Sequence, residues 1–400
     1  MARFSSGESY QGEGGRGKVV RVLVTGGAGF IGSFVCEALL AGGHDVRVLD
    51  NLDPQVHPNG PPGLPPAVEF MLGDVREADA CARALEGVEA ILHAAGAVGV
   101  GQSMYKVRHY IDVNVTGTAT LLDAMIARQS TAKLIVLTSM TGYGEGLYRR
   151  PSDGRLLRVG LRTEEDIERH GWEPVCPETR EPLVPHPTPE DADQLCRNVY
   201  AYSKRYQEEL SLSLGSVYGF PVVCLRLFNV YGPGQSLSNP YTGVMAIFLS
   251  RLLAGERPVV YEDGRQTRDF VSVHDVTAAV IAALGSSSAD GQVINIGSGV
   301  GRSIREIATT LAHLAGKSDR APLITDRYRR GDVRHCIADT SRARLALAFT
   351  PAVAWEDGLA EVVNWARTSP SVDRMAEAQA ELESRQLLGE RRTPPQSVRS

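Results

Sequence analysis

Residues Thr25-Gly26-Gly27-Ala28-Gly29-Phe30-Ile31-Gly32 form a glycine-rich stretch between two apolar patterns. The run before it, residues 19–24, predicts a strand, and the run after it, residues 33–40, predicts a helix. Glycines let the backbone turn tightly and approach a ligand closely, while a helix N-terminus offers unpaired N–H groups and a positive dipole. Because a diphosphate needs this arrangement, the stretch predicts a dinucleotide-binding turn, although its GxxGxxG spacing alone is a weak signal.

A carboxylate, Asp50, ends the next predicted strand, residues 45–50, about 20 residues after the glycine turn. An acid at that position accepts hydrogen bonds from the 2′-hydroxyl of an adenosine ribose and repels a 2′-phosphate. Asp50 therefore favours NAD(H) over NADP(H). Arg47 is near in sequence, but side chains alternate along a strand, which puts it on a different face from Asp50.

The composition excludes several classes of protein. The chain has 400 residues, a hydrophobic content of 43% and a net charge of −5, which suits one large or two coupled domains. The negative charge argues against a nucleic acid or an anionic membrane as a partner, and no apolar run is long enough to span a bilayer. The six cysteines are scattered without a CxxC pair. They predict free thiols in a reducing cytoplasm and no metal site.

Apolar runs that predict strands alternate with helical patterns along most of the chain. These runs are apolar almost throughout, as expected of parallel strands that are buried on both faces. The alternation therefore predicts an α/β fold, a Rossmann-type doubly wound parallel sheet with right-handed crossovers. Beyond the first two strands, the predicted strands are residues 68–74, 90–95, 133–139, 222–227 and 293–297, and the predicted helices are residues 77–85, 111–128 and 200–218.

The predicted domain organisation follows from the positions where the alternation of strand and helix patterns is interrupted. Residues 145–197 are rich in proline and mixed in charge, and we expect this insert to cover a pocket, because Trp172 lies in it. The sequence predicts a disordered extension over residues 1–18, an NAD-binding domain over 19–230 with returning segments at about 268–297, a smaller C-terminal substrate-binding domain over 231–267 and 298–367, and a helix with a tail over 368–400.

Tyr200 and Lys204 occupy positions i and i+4 at the start of a predicted helix and so share one face. A lysine ammonium beside a phenol favours the phenolate and lowers the pKa of the tyrosine from about 10. Tyr200 is therefore a candidate general base or acid. A Tyr/Lys pair of this spacing is common by chance, but here a preceding predicted strand ends at Ser139, whose hydroxyl could hydrogen-bond a substrate oxygen.

Taken together, these motifs resemble the extended short-chain dehydrogenase/reductases, in the branch of NAD-dependent nucleotide-sugar epimerases and dehydratases. The resemblance runs in order over residues 19–367. It implies an isomerase of carbohydrate biosynthesis that binds NAD and a nucleoside-diphosphate sugar and works as a cytoplasmic homodimer. The matching stretches are residues 25–32, 50–52, 73–76, 93–96, 113–118, 138–144, Tyr200 with Lys204, 226–234 and 268–276.

The resemblance also implies roles for the matching positions. The implied catalytic residues are Ser139, Tyr200 and Lys204. The implied NAD-binding residues are Gly26, Gly29, Phe30, Ile31, Gly32, Asp50, Asn51, Asp74, Val75, Ala94, Ala95, Gly96, Asn114, Tyr200 and Lys204. The implied substrate-binding residues are Ser103, Ser139, Thr141, Asn229, Val244, Arg268 and Arg329. Arginine suits a diphosphate because its donors pair bidentately with phosphate oxygens.

The residues after Ser139 discriminate between the reactions of this branch. The 4,6-dehydratases carry Asp-Glu there and the decarboxylases a nearby Glu, whereas this chain has Met140 and Thr141. Neither side chain shuttles a proton as a carboxylate does. Epimerisation at C4 needs only the Ser/Tyr/Lys set and NAD, through transient oxidation to a 4-keto sugar and return of the hydride. The pattern therefore favours a 4-epimerase.

Three stretches, residues 98–105, 172–177 and 235–244, are similar to enzymes of the dTDP-L-rhamnose 4-epimerase type. They favour a dTDP-6-deoxyhexose such as dTDP-L-rhamnose as the substrate. UDP-galactose 4-epimerases carry a lysine soon after the segment that ends at Gly96, and this chain does not. A UDP-sugar 4-epimerase acting on glucose/galactose or glucuronate stays open, as do an NAD(P)H-dependent 4-ketoreductase and a catalytically silent NAD-binding protein.

Overall fold

A computed structural model describes residues 19–57, 63–239, 241 and 243–391 of the chain. The predicted N-terminal extension and the end of the predicted tail lie outside these residues. In chain order the strands are β1 (Arg21–Thr25), β2 (Asp45–Asp50), β3 (Glu69–Leu72), β4 (Ala90–His93), β5 (Lys133–Ser139), β6 (Leu147–Arg149), β7 (Leu156–Arg158), β8 (Val184–His186), β9 (Val222–Leu227), β10 (Asn229–Tyr231), β11 (Val259–Val260), β12 (Thr267–Ser272), β13 (Gln292–Ile296), β14 (Gly301–Ser303), β15 (Leu323–Ile324), β16 (Arg327–Arg329), β17 (His335–Cys336) and β18 (Leu388–Glu390).

The helices follow the predicted positions in the first half of the chain. The helix predicted over residues 111–128 is a π-helical segment, Ile111–Thr116, followed by an α-helix. The α-helices are α1 (Phe30–Ala41), α2 (Ala78–Ala84), α3 (Val100–Ser103), α4 (Val107–Tyr110), α5 (Gly117–Ala127), α6 (Glu164–His170), α7 (Val199–Tyr218), α8 (Val244–Leu253), α9 (Val273–Gly285), α10 (Ile304–Leu314), α11 (Ser341–Leu347), α12 (Trp355–Thr368) and α13 (Met375–Ser384). Within the described part of the chain, no helix is both long and apolar enough to cross a membrane.

The centre of the fold is a seven-stranded parallel sheet in the order β3-β2-β1-β4-β5-β9-β13. Helices cover both faces: α1, α9 and α11 pack on one, and α2, α5 and α7 on the other. The predicted doubly wound sheet is therefore confirmed. The strand order reverses between β1 and β4, and ligands of open α/β sheets bind at the carboxyl edge beside such a switch point.

A second apolar cluster lies beyond the sheet, where α8, α10 and α12 pack together around Val260 and Phe270. Strand β12 connects this cluster to β10, β14 and β17. These elements come from the segments predicted to form the substrate-binding domain. The division of the chain into two domains stays a prediction, since one continuous structure carries both clusters.

The insert, residues 145–197, forms its own small antiparallel sheet of β7, β6 and β8, together with α6. Thr163 starts α6 with a capping box, in which its side chain accepts from Asp166 N and the Asp166 carboxylate accepts from Thr163 N. Trp172 packs edge-on against Tyr328, with ring centroids 6.0 Å apart. The insert is thereby attached to the C-terminal part of the chain.

The side chains of Glu208 on α7 and Arg226 on β9 form an ion pair that is almost fully buried. We expect Glu208→Ala to lower the free energy of unfolding by about 3 kcal/mol, because it leaves a buried guanidinium without its carboxylate. Urea denaturation of the purified variant measures this. Glu209→Ala removes the neighbouring acid, which pairs with Arg205 at the surface, and is the matched control. Equal losses in both variants would contradict the expectation.

Candidate active site

A continuous cavity of about 910 Å³ lies at the carboxyl edge of the sheet, between the glycine turn and the α8 cluster. Of the predicted site residues, all but Ser103 and Asn114 line this cavity. Those that do are Gly26, Gly29, Phe30, Ile31, Gly32, Asp50, Asn51, Asp74, Val75, Ala94, Ala95, Gly96, Ser139, Thr141, Tyr200, Lys204, Asn229, Val244, Arg268 and Arg329. The fold therefore brings the two predicted sets, for a dinucleotide and for a sugar nucleotide, into one space.

The turn between β1 and α1 can pack against the backbone that follows β4 only because residue 26 is a glycine. Gly26 has a φ of +70°, and a Cβ there would lie 2.6 Å from the backbone nitrogen of Ala95. Gly29 precedes α1 without any side-chain cap. The N–H groups at the start of α1 therefore face the cavity unblocked, which fits the diphosphate of a dinucleotide.

The Asp50 carboxylate lies at the end of β2, where an acceptor for the ribose hydroxyl of a dinucleotide is expected. It accepts hydrogen bonds from Ala28 N at 3.0 Å and Leu52 N at 2.9 Å, which tie the end of β2 to the glycine turn. Arg47 points elsewhere, as predicted, and donates to the carbonyls of Ala84 and Glu86. It is thus unavailable to a 2′-phosphate, and the residues here fit NAD.

Asn51 and Asp74 close this end of the cavity. Asn51 donates to the Asp74 carboxylate at 2.8 Å, and Arg76 binds the same carboxylate through two nitrogens. These hydrogen bonds, chiefly those from Arg76, lower the pKa of Asp74 to about 2. Asp74 therefore presents a fixed negative charge at neutral pH.

Ser103 and Asn114 are fully buried and do not line the cavity, and their predicted ligand contacts stay predictions. Asn114, in the π-helical segment, hydrogen-bonds both the N–H and the carbonyl of Ala97 and donates to Ser203 on α7. Ser103 accepts from the backbone N–H of Tyr200 at 3.1 Å. Both hold α7 against the segment that follows β4.

Tyr200 and Ser139 both line the cavity, and the Ser139 hydroxyl is close enough to the phenol to influence its pKa. Thr141 donates to the Ser139 hydroxyl at 3.0 Å. Burial raises the pKa of Tyr200 to about 12, against a smaller lowering by Ser139. The expectation that Lys204 lowers this pKa is therefore wrong for the ligand-free protein, because loss of solvent dominates and the Lys204 ammonium donates to Leu137 O at 3.0 Å.

Lys204 is itself buried beside Gly96, where a Cβ would approach its Nζ to 3.2 Å. Burial lowers the pKa of Lys204 from 10.5 to about 8. The ammonium is therefore present at neutral pH, but it is held in a poorly solvated place, where a neighbouring charge would have a large effect.

The opposite half of the cavity contains buried polar atoms that have no partner in the protein. They are Asn229 Oδ1, the Tyr261 hydroxyl, Gln266 Oε1 and Arg329 Nε. Buried polar groups are normally hydrogen-bonded, so four unpaired ones around a cavity indicate a polar ligand. Tyr261 and Gln266 were not predicted from the sequence, since neither belongs to a recognisable pattern; only their nearness to Arg268 in sequence could have suggested them.

The guanidinium of Arg268, which is predicted to bind the substrate, already has several hydrogen-bond partners in the protein. It donates to three backbone carbonyls and to Asp332 at 3.0 Å. Burial works against ionisation of Asp332, yet Arg268 and Arg329 hold the pKa of its carboxyl below the ordinary value. A diphosphate would have to share the donors of Arg268 with Asp332, whereas Arg329 keeps a free donor.

The insert contributes little to the cavity in this structure. Among its described residues only Leu161 and Arg197 line the cavity, and Trp172 packs on Tyr328 instead. Trp172 therefore attaches the insert to the C-terminal part of the chain, and coverage of a pocket by the insert stays a prediction. The buried Arg334 also attaches the insert, since its guanidinium binds Glu173 of the insert together with Glu262 and Asp263.

The burial of Lys204 predicts how the stability of the protein changes with pH. The unfolded chain keeps the lysine pKa near 10.5, and the folded chain has about 8, so the unfolded state binds more protons between these values. The free energy of unfolding should therefore rise relative to that of Lys204→Met as the pH increases from about 7 to about 9.5. Urea denaturation at both pH values tests this; a constant difference would contradict it.

Comparison with known proteins identifies the family to which this chain belongs. Residues 22–161 and 180–297 match the NAD dependent epimerase/dehydratase family. The dTDP-L-rhamnose 4-epimerase of Burkholderia thailandensis is 37% identical over 356 residues, which cover 86% of this chain and 94% of that protein. The UDP-glucose 4-epimerase of Mycolicibacterium smegmatis is 33% identical and covers 87% and 99%. The crystal structure of UDP-glucose 4-epimerase with UDP-glucose from Thermotoga maritima has a TM-score of 0.71 at 29% identity, covering 87% and 98%. The chain belongs to the NAD-dependent epimerase/dehydratase family of enzymes, and its cofactor is NAD.

Proposed function

We propose that this enzyme is a nucleotide-sugar 4-epimerase and that its substrate is a dTDP-6-deoxyhexose such as dTDP-L-rhamnose. The observation that carries the proposal is the composition of the cavity around Tyr200. Tyr200 lines the cavity together with Ser139, Thr141 and Lys204. These side chains can move a proton on and off a sugar hydroxyl, and no carboxylate directly follows Ser139 in the chain.

In this proposal the protein's own residues handle the proton. Tyr200 takes the proton of the C4 hydroxyl, and Ser139 hydrogen-bonds the same oxygen as it becomes a carbonyl. Asn229, Tyr261, Gln266 and Arg329, which line the other half of the cavity, bind the rest of the sugar nucleotide. NAD⁺ supplies the hydride acceptor and a positive charge, which favours the phenolate. The keto sugar then presents its other face, C4 takes the hydride back on that face, and Tyr200 returns the proton to the C4 oxygen.

The acids around the cavity support epimerisation over dehydration. The two residues after Ser139 are Met140 and Thr141. Met140 is buried in a cluster with Tyr143 and Phe228, and Thr141 offers a hydroxyl, not a carboxylate. Among the described residues that line the cavity, Asp50, Asp53 and Asp74 lie at the cofactor end. The others, Glu262 and Asp332, are paired with arginines. None is placed to act as a free general acid beside Ser139.

The choice of sugar rests on similarity. The 37% identity to a dTDP-L-rhamnose 4-epimerase over most of both chains supports a dTDP-6-deoxyhexose. A UDP-glucose 4-epimerase at 33% identity keeps UDP-sugars as the second candidate. Asp50 disfavours NADPH, because its carboxylate repels a 2′-phosphate, and tight retention of NAD by the purified protein would exclude a 4-ketoreductase.

The proposed function is tested by incubating the purified protein with dTDP-L-rhamnose, UDP-galactose and UDP-glucuronate, without added cofactor, and following the sugars by NMR. We expect dTDP-L-rhamnose to interconvert with its C4 epimer without net formation of NADH. Conversion of a UDP-sugar alone would reassign the substrate. No conversion, together with consumption of added NAD(P)H on a keto sugar, would replace the epimerase by a ketoreductase.

The role of Tyr200 gives a direct prediction. Tyr200→Phe removes the proton-transfer group and should lower kcat at least 10²-fold, while the NAD content and the affinity for substrate stay nearly unchanged. Tyr202→Phe alters an exposed tyrosine on the same helix and serves as the control. Epimerisation assays with calorimetric binding separate the two effects, and substantial residual turnover of Tyr200→Phe would refute the role.

We also propose that the enzyme is a homodimer of the cytoplasm. Helix α7 exposes Tyr206 and Tyr218, and these exposed aromatic side chains support a partner surface there. The six cysteines are unpaired and buried, which suits a reducing compartment. Sedimentation velocity of the protein and of Tyr206→Asp tests the dimer: the variant should sediment as a monomer.

A further inference from the structure

The C-terminal residues 370–391, which we call the C-terminal strap, cross the substrate half of the cavity. The sequence predicts only a helix and a tail here, but the strap contains α13 and β18. Six of its residues line the cavity: Pro370, Met375, Ala378, Gln379, Leu382 and Leu387. Five of these side chains are apolar, so the strap supplies a largely apolar wall opposite the polar groups that the cavity already holds.

Helix α13 is attached to both halves of the structure. Glu381 accepts a hydrogen bond from the Tyr241 hydroxyl, which in turn accepts one from Tyr105 at 2.7 Å. Arg385 lies over the Tyr105 ring at 4.8 Å. Tyr105 follows β4 and α3 of the NAD-binding part, whereas Tyr241 precedes α8. The strap therefore bridges the cavity from one side to the other.

Strand β18 is attached to the segment that carries Arg329. It pairs antiparallel with β16, and Arg329 lies opposite Leu388 in the register. The next residue, Arg330, donates its backbone N–H to Leu387 O at 3.0 Å. Glu383 adds an ion pair with Arg327, at 2.5 Å. The backbone position of Arg329, whose Nε is buried without a partner, thus depends on the strap.

The strap is fixed at its beginning as well. Asp373 pairs with Arg251 of α8 at 2.9 Å, and Val372 N donates to Ser238 at 2.9 Å. Met375, Ala378 and Leu382 are each at most 6% exposed. Burial of this apolar face favours the observed position, in contrast to a tail that happens to lie on the surface.

We propose that the C-terminal strap is a component of the substrate site, which closes the outer wall of the cavity and positions Arg329 for the diphosphate of the nucleotide sugar. This inference rests on the proposed function in one respect, the presence of a nucleoside diphosphate in the ligand. It adds residues outside the family's matched region, 22–161 and 180–297, to the machinery that determines substrate affinity.

Gly389 allows the attachment of β18 to be tested without touching the cavity. A Cβ on Gly389 would lie 2.6 Å from the Tyr328 hydroxyl oxygen and 2.8 Å from the ring carbon Cε2, so Gly389→Ala should separate β18 from β16. We expect its Kd for dTDP, measured by calorimetry on the full-length NAD-loaded protein, to rise roughly tenfold, since a charged hydrogen bond is misplaced. NAD content should not change. Gly285→Ala, where a Cβ meets nothing within 4 Å, is the matched control.

Hydrogen exchange on the unmodified protein provides the second measurement, which applies even where Gly389→Ala does not fold. We expect dTDP to slow exchange in residues 370–391. Unchanged dTDP affinity in a folded Gly389→Ala, or unchanged exchange of the strap when dTDP binds, overturns the inference and leaves the proposed function intact. If the unmodified protein binds neither dTDP nor UDP, the proposed function fails, and the inference fails with it.

Discussion

Gly26 is the point at which two backbones meet, and the arrangement of the cavity depends on that approach. The turn after β1 packs directly on the backbone of Ala94 and Ala95 after β4, with no space for a Cβ between them. These strands are neighbours at the place where the strand order reverses. Because the connections diverge there to opposite faces of the sheet, the two segments leave a crevice at its edge. A side chain at Gly26 would fill the crevice and push the strands' loops apart.

Hydrogen bonds between neighbouring elements fix the residues that line this crevice. Asp50 ties β2 to the glycine turn, Asn114 ties the segment after β4 to α7, and Ser103 fixes the start of α7 at Tyr200. These groups are buried and hydrogen-bonded, so each has little freedom. These contacts behind the cavity wall thereby fix the geometry of Ser139 and Tyr200, which we propose to be the reacting groups.

Burial has opposite effects on the two ionisable groups of the site. Loss of solvent raises the pKa of Tyr200 to about 12 and lowers that of Lys204 to about 8. In the ligand-free protein the tyrosine is therefore a neutral phenol, and the lysine has little power to ionise it. A positive charge brought into so poorly solvated a space acts strongly. Both shifts therefore favour the neutral forms of these two side chains.

Residue patterns alone predicted the fold class and part of the cavity lining. Patterns such as 25–32, 133–139 and 222–227 were sufficient because apolar runs and glycine turns are local consequences of a buried parallel sheet. Tertiary structure decided what sequence spacing does not encode. It placed Ser103 and Asn114 behind the wall, turned Trp172 toward Tyr328, and brought the C-terminal strap across the substrate half. Each of these depends on contacts between residues far apart in the chain, and the pKa of Tyr200 depends on the solvent that such contacts exclude.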